Sequence, residues 1–210
     1  IGVQSNVPPG EFCVRVVDVG QGSAAVVDTA GYRLLVDTGP RFANRDVGRS
    51  NVLPVLRVQK LDIYEKERPV GIQIFGANLD SMLRSVEIVE ASKPDIIDIN
   101  FGCPVKKVVS KGAGAGILRD IPLMVKLTAE MAKHTSLPLT VKTRLGWDHD
   151  SIKIVEVAER LQDAGAKAIS IHGRTRAQMY KGDANWKPIA AVKENPRMHI
   201  PVFGNGDVDS

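Results

Sequence analysis

Two rhythms of apolar and polar positions divide this chain. From Glu11 to about Gly39 the apolar runs are short: Phe12-Cys-Val-Arg-Val-Val, Ser23-Ala-Ala-Val-Val and Tyr32-Arg-Leu-Leu-Val, separated by Gly20-Gln-Gly22 and Ala30-Gly31. Short β-rich runs between turn residues predict an antiparallel meander. Beyond about Arg68 the rhythm becomes strand, long amphipathic helix, strand, with Met82, Leu83, Val86, Ile88 and Val89 at helical spacing. Asp120 before Ile121 and Pro122 predicts a helix start, and Asp150-Ser-Ile predicts another that Gly165 closes. Arg41 to Lys66 reads as a junction, in which Val52-Leu-Pro54-Val-Leu56 suits a short strand or a helix start.

The apolar strands of the second half end alike. Ile72-Gln73-Ile-Phe-Gly, Asp98-Ile-Asn-Phe-Gly, Leu139-Thr-Val-Lys142-Thr-Arg144, Ala168-Ile-Ser-Ile-His172-Gly-Arg174-Thr-Arg176 and Val202-Phe-Gly-Asn205-Gly-Asp207 all run into polar groups. Polar residues gathered at strand C-termini are the layout of an active face on a (β/α) barrel. The predicted fold class is therefore α/β, a partial TIM barrel with about five recognisable strands behind a short antiparallel β meander.

With 210 residues, 43% of them hydrophobic and 25% charged, the chain can bury a core and is not composed like a disordered one. Its net charge of +4 suits a polyanionic partner without demanding one. Cys13 and Cys103 stand far apart in unlike contexts, which argues against a disulfide scaffold and for a reducing compartment. There is no apolar run of about 18 residues and no apolar signal core, so the expectation is a soluble cytoplasmic protein.

Cys103 follows a strand, bracketed by Gly102 and Pro104, with Lys106 and Lys107 behind it to hold an anion. A thiol there can give a proton to a substrate carbon as general acid; a small buried hydrophobe is the other reading. Lys142 lies on an otherwise apolar strand, where it either meets an anion or electron-rich ligand or reaches solvent from an edge. His172 is a satisfied core histidine or, with Arg174, Arg176 and Lys181 following, part of a patch that attracts phosphate. Gln73 and Asn100 are amides that suit a heterocycle or simple loop capping. Lys111-Gly-Ala-Gly-Ala-Gly116 lacks the ending of a P-loop and reads as a mobile substrate loop. His134, His149 and His199 share no ligand spacing with one another or with Cys103, and no metal is expected.

Five segments together resemble the tRNA-dihydrouridine synthases, in particular the bacterial B-type branch. They are Gly71-Ile-Gln-Ile-Phe-Gly76, Asp98-Ile-Asn-Phe-Gly-Cys-Pro-Val-Lys-Lys107, Val141-Lys-Thr-Arg-Leu-Gly-Trp147, Ile171-His-Gly-Arg-Thr-Arg176 and Gly204-Asn-Gly-Asp207, in the family's order. The resemblance spans about Glu67 to Ser210, and the domain carrying it is taken as residues 58–210. It implies an FMN-dependent TIM barrel that reduces the 5,6 double bond of uridine in tRNA, with NADPH as reductant. It further implies hydride delivery from reduced flavin to C6 of the base and protonation of C5 by Cys103. Gln73, Lys142, His172 and the Asn205-Gly206-Asp207 turn match family positions that hold FMN, and Asn100 matches one at the substrate uracil. Arg174 and Arg176 would lie near the RNA or the flavin phosphate, and Lys106 and Lys107 would serve the RNA.

Several family features have no counterpart here: the Pro-Met-Ala-Gly-like flavin loop, a second barrel strand, the last strand with its Gly-Arg turn, and the helical C-terminal domain. The expectation is an open barrel whose parallel edges favour self-association. Residues 1–57 resemble something else, the start of the metallo-β-lactamase-like domain of the competence DNA-uptake family. Val16-Val-Asp-Val-Gly-Gln-Gly-Ser23, Leu34-Leu-Val-Asp-Thr-Gly-Pro40 and Asn51-Val-Leu-Pro-Val-Leu56 carry that likeness. The His-x-His-x-Asp-His motif does not follow, so a metal-dependent hydrolase is disfavoured. The chain reads as a splice of two unrelated fragments, and the alternative to a reductase is a catalytically silent chimera with weak RNA binding.

Overall fold

The computed structural model describes Ile63 and residues 68–208 in full, and five N-terminal strand segments by their backbone. The chain divides into two compact units, Ile1–Arg68 and Pro69–Ser210. In the first, β1 (Phe12–Asp18), β2 (Ser23–Thr29) and β3 (Arg33–Val36) form an antiparallel sheet in the order β1-β2-β3. Phe12 stands opposite Thr29, and Ala25 opposite Val36, which is the predicted meander. Two short strands, β4 (Arg41–Phe42) and β5 (Arg45–Asp46), pair antiparallel inside the segment read as a junction. Val52–Leu56 lies outside the described residues.

The second unit is built on a five-stranded parallel sheet: β6 (Gly71–Ile74), β7 (Ile96–Asn100), β8 (Leu139–Arg144), β9 (Ala168–His172) and β10 (Val202–Asn205). The strands lie side by side in chain order, each paired parallel with the next. Helical crossovers make this possible: α1 (Leu79–Glu90), α2 (Lys106–Val109), a 3₁₀ helix (Gly114–Arg119) and α3 (Ile121–His134), α4 (Ile154–Asp163) and α5 (Lys187–Glu194). Sequential order without reversal is the topology of a (β/α) barrel wall, whereas a doubly wound sheet reverses its order. The partial TIM barrel expected from the strand pattern is the architecture found.

Strand period 2 sorts the side chains between the two faces. Ile97, Ile99, Val141, Ile169 and Ile171 are fully buried on the helix side, against Met124, Leu127, Met131, Ala158 and Leu161. The alternate positions, among them Gln73, Asp98, Asn100, Thr140, Lys142, Ser170 and His172, share the opposite face by register. On α1 the buried stripe is Met82, Val86 and Val89, whereas Ile88, which the periodicity had grouped with them, is 58% exposed.

Helix starts follow the local chemistry. Asn78 caps α1 by accepting from Ser81 N at 3.0 Å, and Asp120 caps α3 by accepting from Leu123 N at 3.0 Å with Pro122 in the first turn. The start predicted at Asp150 is displaced to Ile154. Ser151 is instead held in a turn with Asp148: each backbone N–H donates to the other's side chain, at 2.9 and 3.0 Å.

The glycine-rich segment after α2 is a buried support, which corrects the mobile loop expected from composition. Ala113 to Leu118 are buried, and Ala115 N donates to Cys103 O at 2.9 Å. A Cβ on Gly116 would lie 2.7 Å from Val109 O, a backbone atom that cannot swing away. Gly116→Ala is expected to cost about 1–3 kcal/mol through overpacking, read as a lower urea midpoint at unchanged m-value; an unaltered midpoint would show that α2 yields freely.

Candidate active site

At the C-terminal end of the sheet the polar face becomes a hydrogen-bonded row. Asp98, on β7, bridges its neighbours: Gln73 Nε2 donates to Oδ2, and Thr140 Oγ1 donates to Oδ1 at 2.6 Å. Asn100 Nδ2 donates to Gln73 Oε1 at 2.8 Å, so the amide of Gln73 is fixed at both ends. Asn100 Oδ1 then accepts from Gly102 N at 3.0 Å and Cys103 N at 2.9 Å, an Asx-type turn that sets where the thiol leaves the sheet. Cys103 is a free cysteine, half-buried.

Arg144, at the end of β8, grips the same loop from the other side. It is 2% exposed; Nε donates to Gly102 O at 2.8 Å, while Nη1 donates to Thr175 O at 3.1 Å and Met179 O at 2.7 Å. Its Cζ lies 5.5 Å from the Tyr180 ring centroid. A rigid planar fork suits such a joint, because one cation satisfies carbonyls from two loops at once. The thiol loop is thereby tied to the loop that follows β9.

Lys142, Asn205 and His172 occupy the neighbouring strands. Lys142 Nζ donates to Asn205 Oδ1 at 2.8 Å across the intervening β9. Burial, and after it the charge of Arg144, push the Lys142 ammonium below its ordinary pKa, while Asp98 works in the opposite sense. His172 is pushed down to about 4, first by burial and then by the cations Arg144, Lys142 and Arg174. Geometry agrees: Arg174 Nη1 stands 3.3 Å from His172 Nε2, and since a guanidinium only donates, that nitrogen is an acceptor and the ring is neutral.

Arg174 is 8% exposed and spends its guanidinium internally, donating to Gly182 O at 2.6 and 2.9 Å and to both oxygens of Asp207 at 2.7 Å. Asp207 also accepts from Ala184 N at 2.7 Å; that backbone bond first, and Arg174 second, hold its carboxyl below the usual range. Gly206 O accepts from Trp186 Nε1 at 3.1 Å, so the Asn205-Gly206-Asp207 turn is anchored residue by residue.

The structure thus brings Gln73, Asn100, Cys103, Lys142, His172, Asn205, Gly206 and Asp207 to the C-terminal end of one sheet. Lys106 and Lys107 open the short α2 and are exposed. Arg176 lies apart from Arg174, against Trp147. Sequence reasoning overlooked Asp98 and Arg144, although both stand in the quoted strand ends; a charged residue continuing an apolar strand was the available signal. Among the described residues no three His, Cys, Asp or Glu side chains converge on a common point, and no helix is long and apolar enough to cross a membrane.

Comparison with known proteins bears on this arrangement. The profile of the dihydrouridine synthase (Dus) family matches residues 51–210. The chain belongs to the dihydrouridine synthase family. It is 44% identical over 152 residues to a probable tRNA-dihydrouridine synthase 1 of Synechocystis sp., a match covering 72% of this chain and 42% of that protein. It is 40% identical over 145 residues to tRNA-dihydrouridine synthase B of Pseudomonas aeruginosa, covering 69% and 43% respectively. The corresponding enzyme of Vibrio parahaemolyticus is 39% identical over 149 residues, covering 70% and 46%. The chain therefore spans less than half the length of the curated relatives it matches. The dihydrouridine synthase profile begins at Asn51, ahead of the boundary at residue 58 taken from the sequence.

The neutral state of His172 has a consequence for stability. Its folded pKa is depressed from 6.5 to about 4, so as pH falls the unfolded chain takes up the proton first. The associated stability is complete above about pH 6.5 and is lost between there and about pH 4. His172→Gln is expected to flatten the fall of the thermal midpoint in that window, measured by circular dichroism; parallel curves for parent and variant would contradict a half-buried neutral imidazole.

Proposed function

We propose that this chain carries the reductase face of a flavin-dependent tRNA-dihydrouridine synthase, reducing the 5,6 double bond of uridine in tRNA. The observation that carries the reading is a free thiol on a loop fixed by Asn100 and Arg144, beside a face that presents Gln73, Lys142 and His172. The family membership and the names of its relatives support it. FMN, reduced by NADPH, would supply the hydride for C6 of the base. The donor set suits that group: amides, a half-buried ammonium and an imidazole that offers Nδ1–H, facing a heterocycle of carbonyl and ring-nitrogen acceptors. Gln73, Lys142, His172 and the Asn205-Gly206-Asp207 turn would hold it.

In this reading Cys103 gives its proton to C5 as general acid, at a position set by Asn100 rather than by the loop's own stiffness. Asn100 keeps one Nδ2–H beyond its bond to Gln73, enough for a uracil carbonyl. Lys142, already directed by Asn205, places a positive charge on the same face. Arg174 braces the turn at Asp207, which leaves contact with RNA to Arg176, Lys106 and Lys107. Strands β6 and β10 end the described sheet, and self-association through such parallel edges belongs to the same reading, as does a cytoplasmic setting with tRNA. For residues 1–57, the antiparallel order β1-β2-β3 supports a fragment resembling the start of a metallo-β-lactamase-like domain, separate from a reductase unit at 58–210.

With FMN added, Cys103→Ala is expected to retain flavin absorbance and lose tRNA reduction by about 10² or more. Lys142→Ala is expected to weaken flavin retention in a fluorescence-quenching titration. Equal turnover in Cys103→Ala and parent would remove the proton-donor role. A colourless parent that binds RNA only in low salt would favour the silent chimera.

A further inference from the structure

Two guanidinium groups share one indole next to the thiol loop. Arg119 ends the 3₁₀ helix with its Cζ 4.5 Å from the Trp147 ring centroid, and Arg176 brings its own to 4.7 Å. Neither arginine forms an ion pair among the described residues, and Arg176 Nε is buried without a hydrogen-bond partner. The ring's quadrupole attracts each cation but neutralises neither, so two like charges stand close together without an ion-pair partner among the described residues. Beside them opens a cavity of about 350 Å³ with a largely apolar floor that includes Leu118, Ile121, Leu145 and Val157, where Arg119, Arg144 and Lys153 supply the charge and no carboxylate contributes. Arg144, which lines this cavity, also donates to Gly102 O, so the basic rim adjoins the loop that carries Cys103.

We propose that Arg119, Trp147, Lys153 and Arg176 form a phosphodiester-binding rim that seats an RNA strand beside the thiol face. Uncompensated arginines on an aromatic platform are what a phosphate and its neighbouring base require. The choice of RNA over another phosphate-bearing ligand rests on the reading of the Cys103 face as a tRNA-modifying site. The rim itself rests only on the charges and the ring.

The test is fluorescence anisotropy of a labelled, unmodified tRNA transcript across a salt series, with parent, Arg119→Gln and Arg176→Gln. Arg119 is exposed, so its variant leaves the fold intact; circular dichroism checks both. Each substitution is expected to weaken binding at every salt concentration and to reduce the slope of log K against log salt by about 1. FMN titration of Arg119→Gln is expected to match the parent. Unchanged slopes in both variants, or no salt-sensitive tRNA binding by the parent, would overturn the rim. Inorganic phosphate supplies the second arm: quenching of tryptophan fluorescence that Arg119→Gln abolishes, with the tRNA slope unchanged, would mean a small-anion site and overturn the RNA assignment. Rim-dependent tRNA binding without flavin binding would sink the reductase reading and leave the rim standing.

Discussion

Asn100 Oδ1 accepts from the backbone N–H groups of both Gly102 and Cys103, while its Nδ2 donates to Gln73 Oε1. That amide joins the sheet to the thiol, because strand geometry ends at Asn100 and the loop begins with the residue after it. Each such bond contributes only about 1 kcal/mol net, but leaving a partly buried backbone N–H unpaired costs more than that. The loop conformation is therefore set by what Asn100 can reach. What Asn100 can reach is set in turn by Gln73 and by the Asp98 carboxylate that holds Gln73 and Thr140.

The two faces of the sheet divide the work. Isoleucines and valines at alternate positions bury against α1, α3, α4 and α5 and fix the strands in order, which frees the opposite positions from any packing duty. Those positions carry carboxylate, amide, ammonium and imidazole groups that would be costly in a core. Arg144 extends the order beyond the strand ends, since its guanidinium is buried against carbonyls of Gly102, Thr175 and Met179. Charges concentrated there act on one another, and His172 stays neutral because burial and three nearby cations all oppose its protonation.

Much of the architecture was legible in period and punctuation. The strands that carry Gln73, Asn100, Lys142, His172 and Asn205 coincide with the apolar runs, and the cap at Asp120 and the meander at Phe12–Val36 follow from residue type alone. Arg144 was hidden because its partners are backbone carbonyls, which any sequence could supply. Arg174 read as a ligand-facing cation, and its pairing with Asp207, distant in sequence, was not legible beforehand. The segment from Lys111 to Gly116 looked loose by composition, yet its glycines serve close packing against Val109 and Cys103. Asp150 has the chemistry of a cap, but the Asp148–Ser151 turn comes first and carries the chain past it.

The most direct test of this account is residue-resolved hydrogen exchange at the thiol loop in the parent and in Asn100→Ala. If Asn100 sets the loop, the amides of Gly102 and Cys103 are protected in the parent and exchange about tenfold faster or more in the variant, the equivalent of roughly 1.4 kcal/mol. The amides of Ile97 and Ile99 within β7 keep their protection in both. Equal exchange at Gly102 and Cys103 in the two proteins would mean that the loop holds its own shape, and the account of how the thiol is positioned would be wrong.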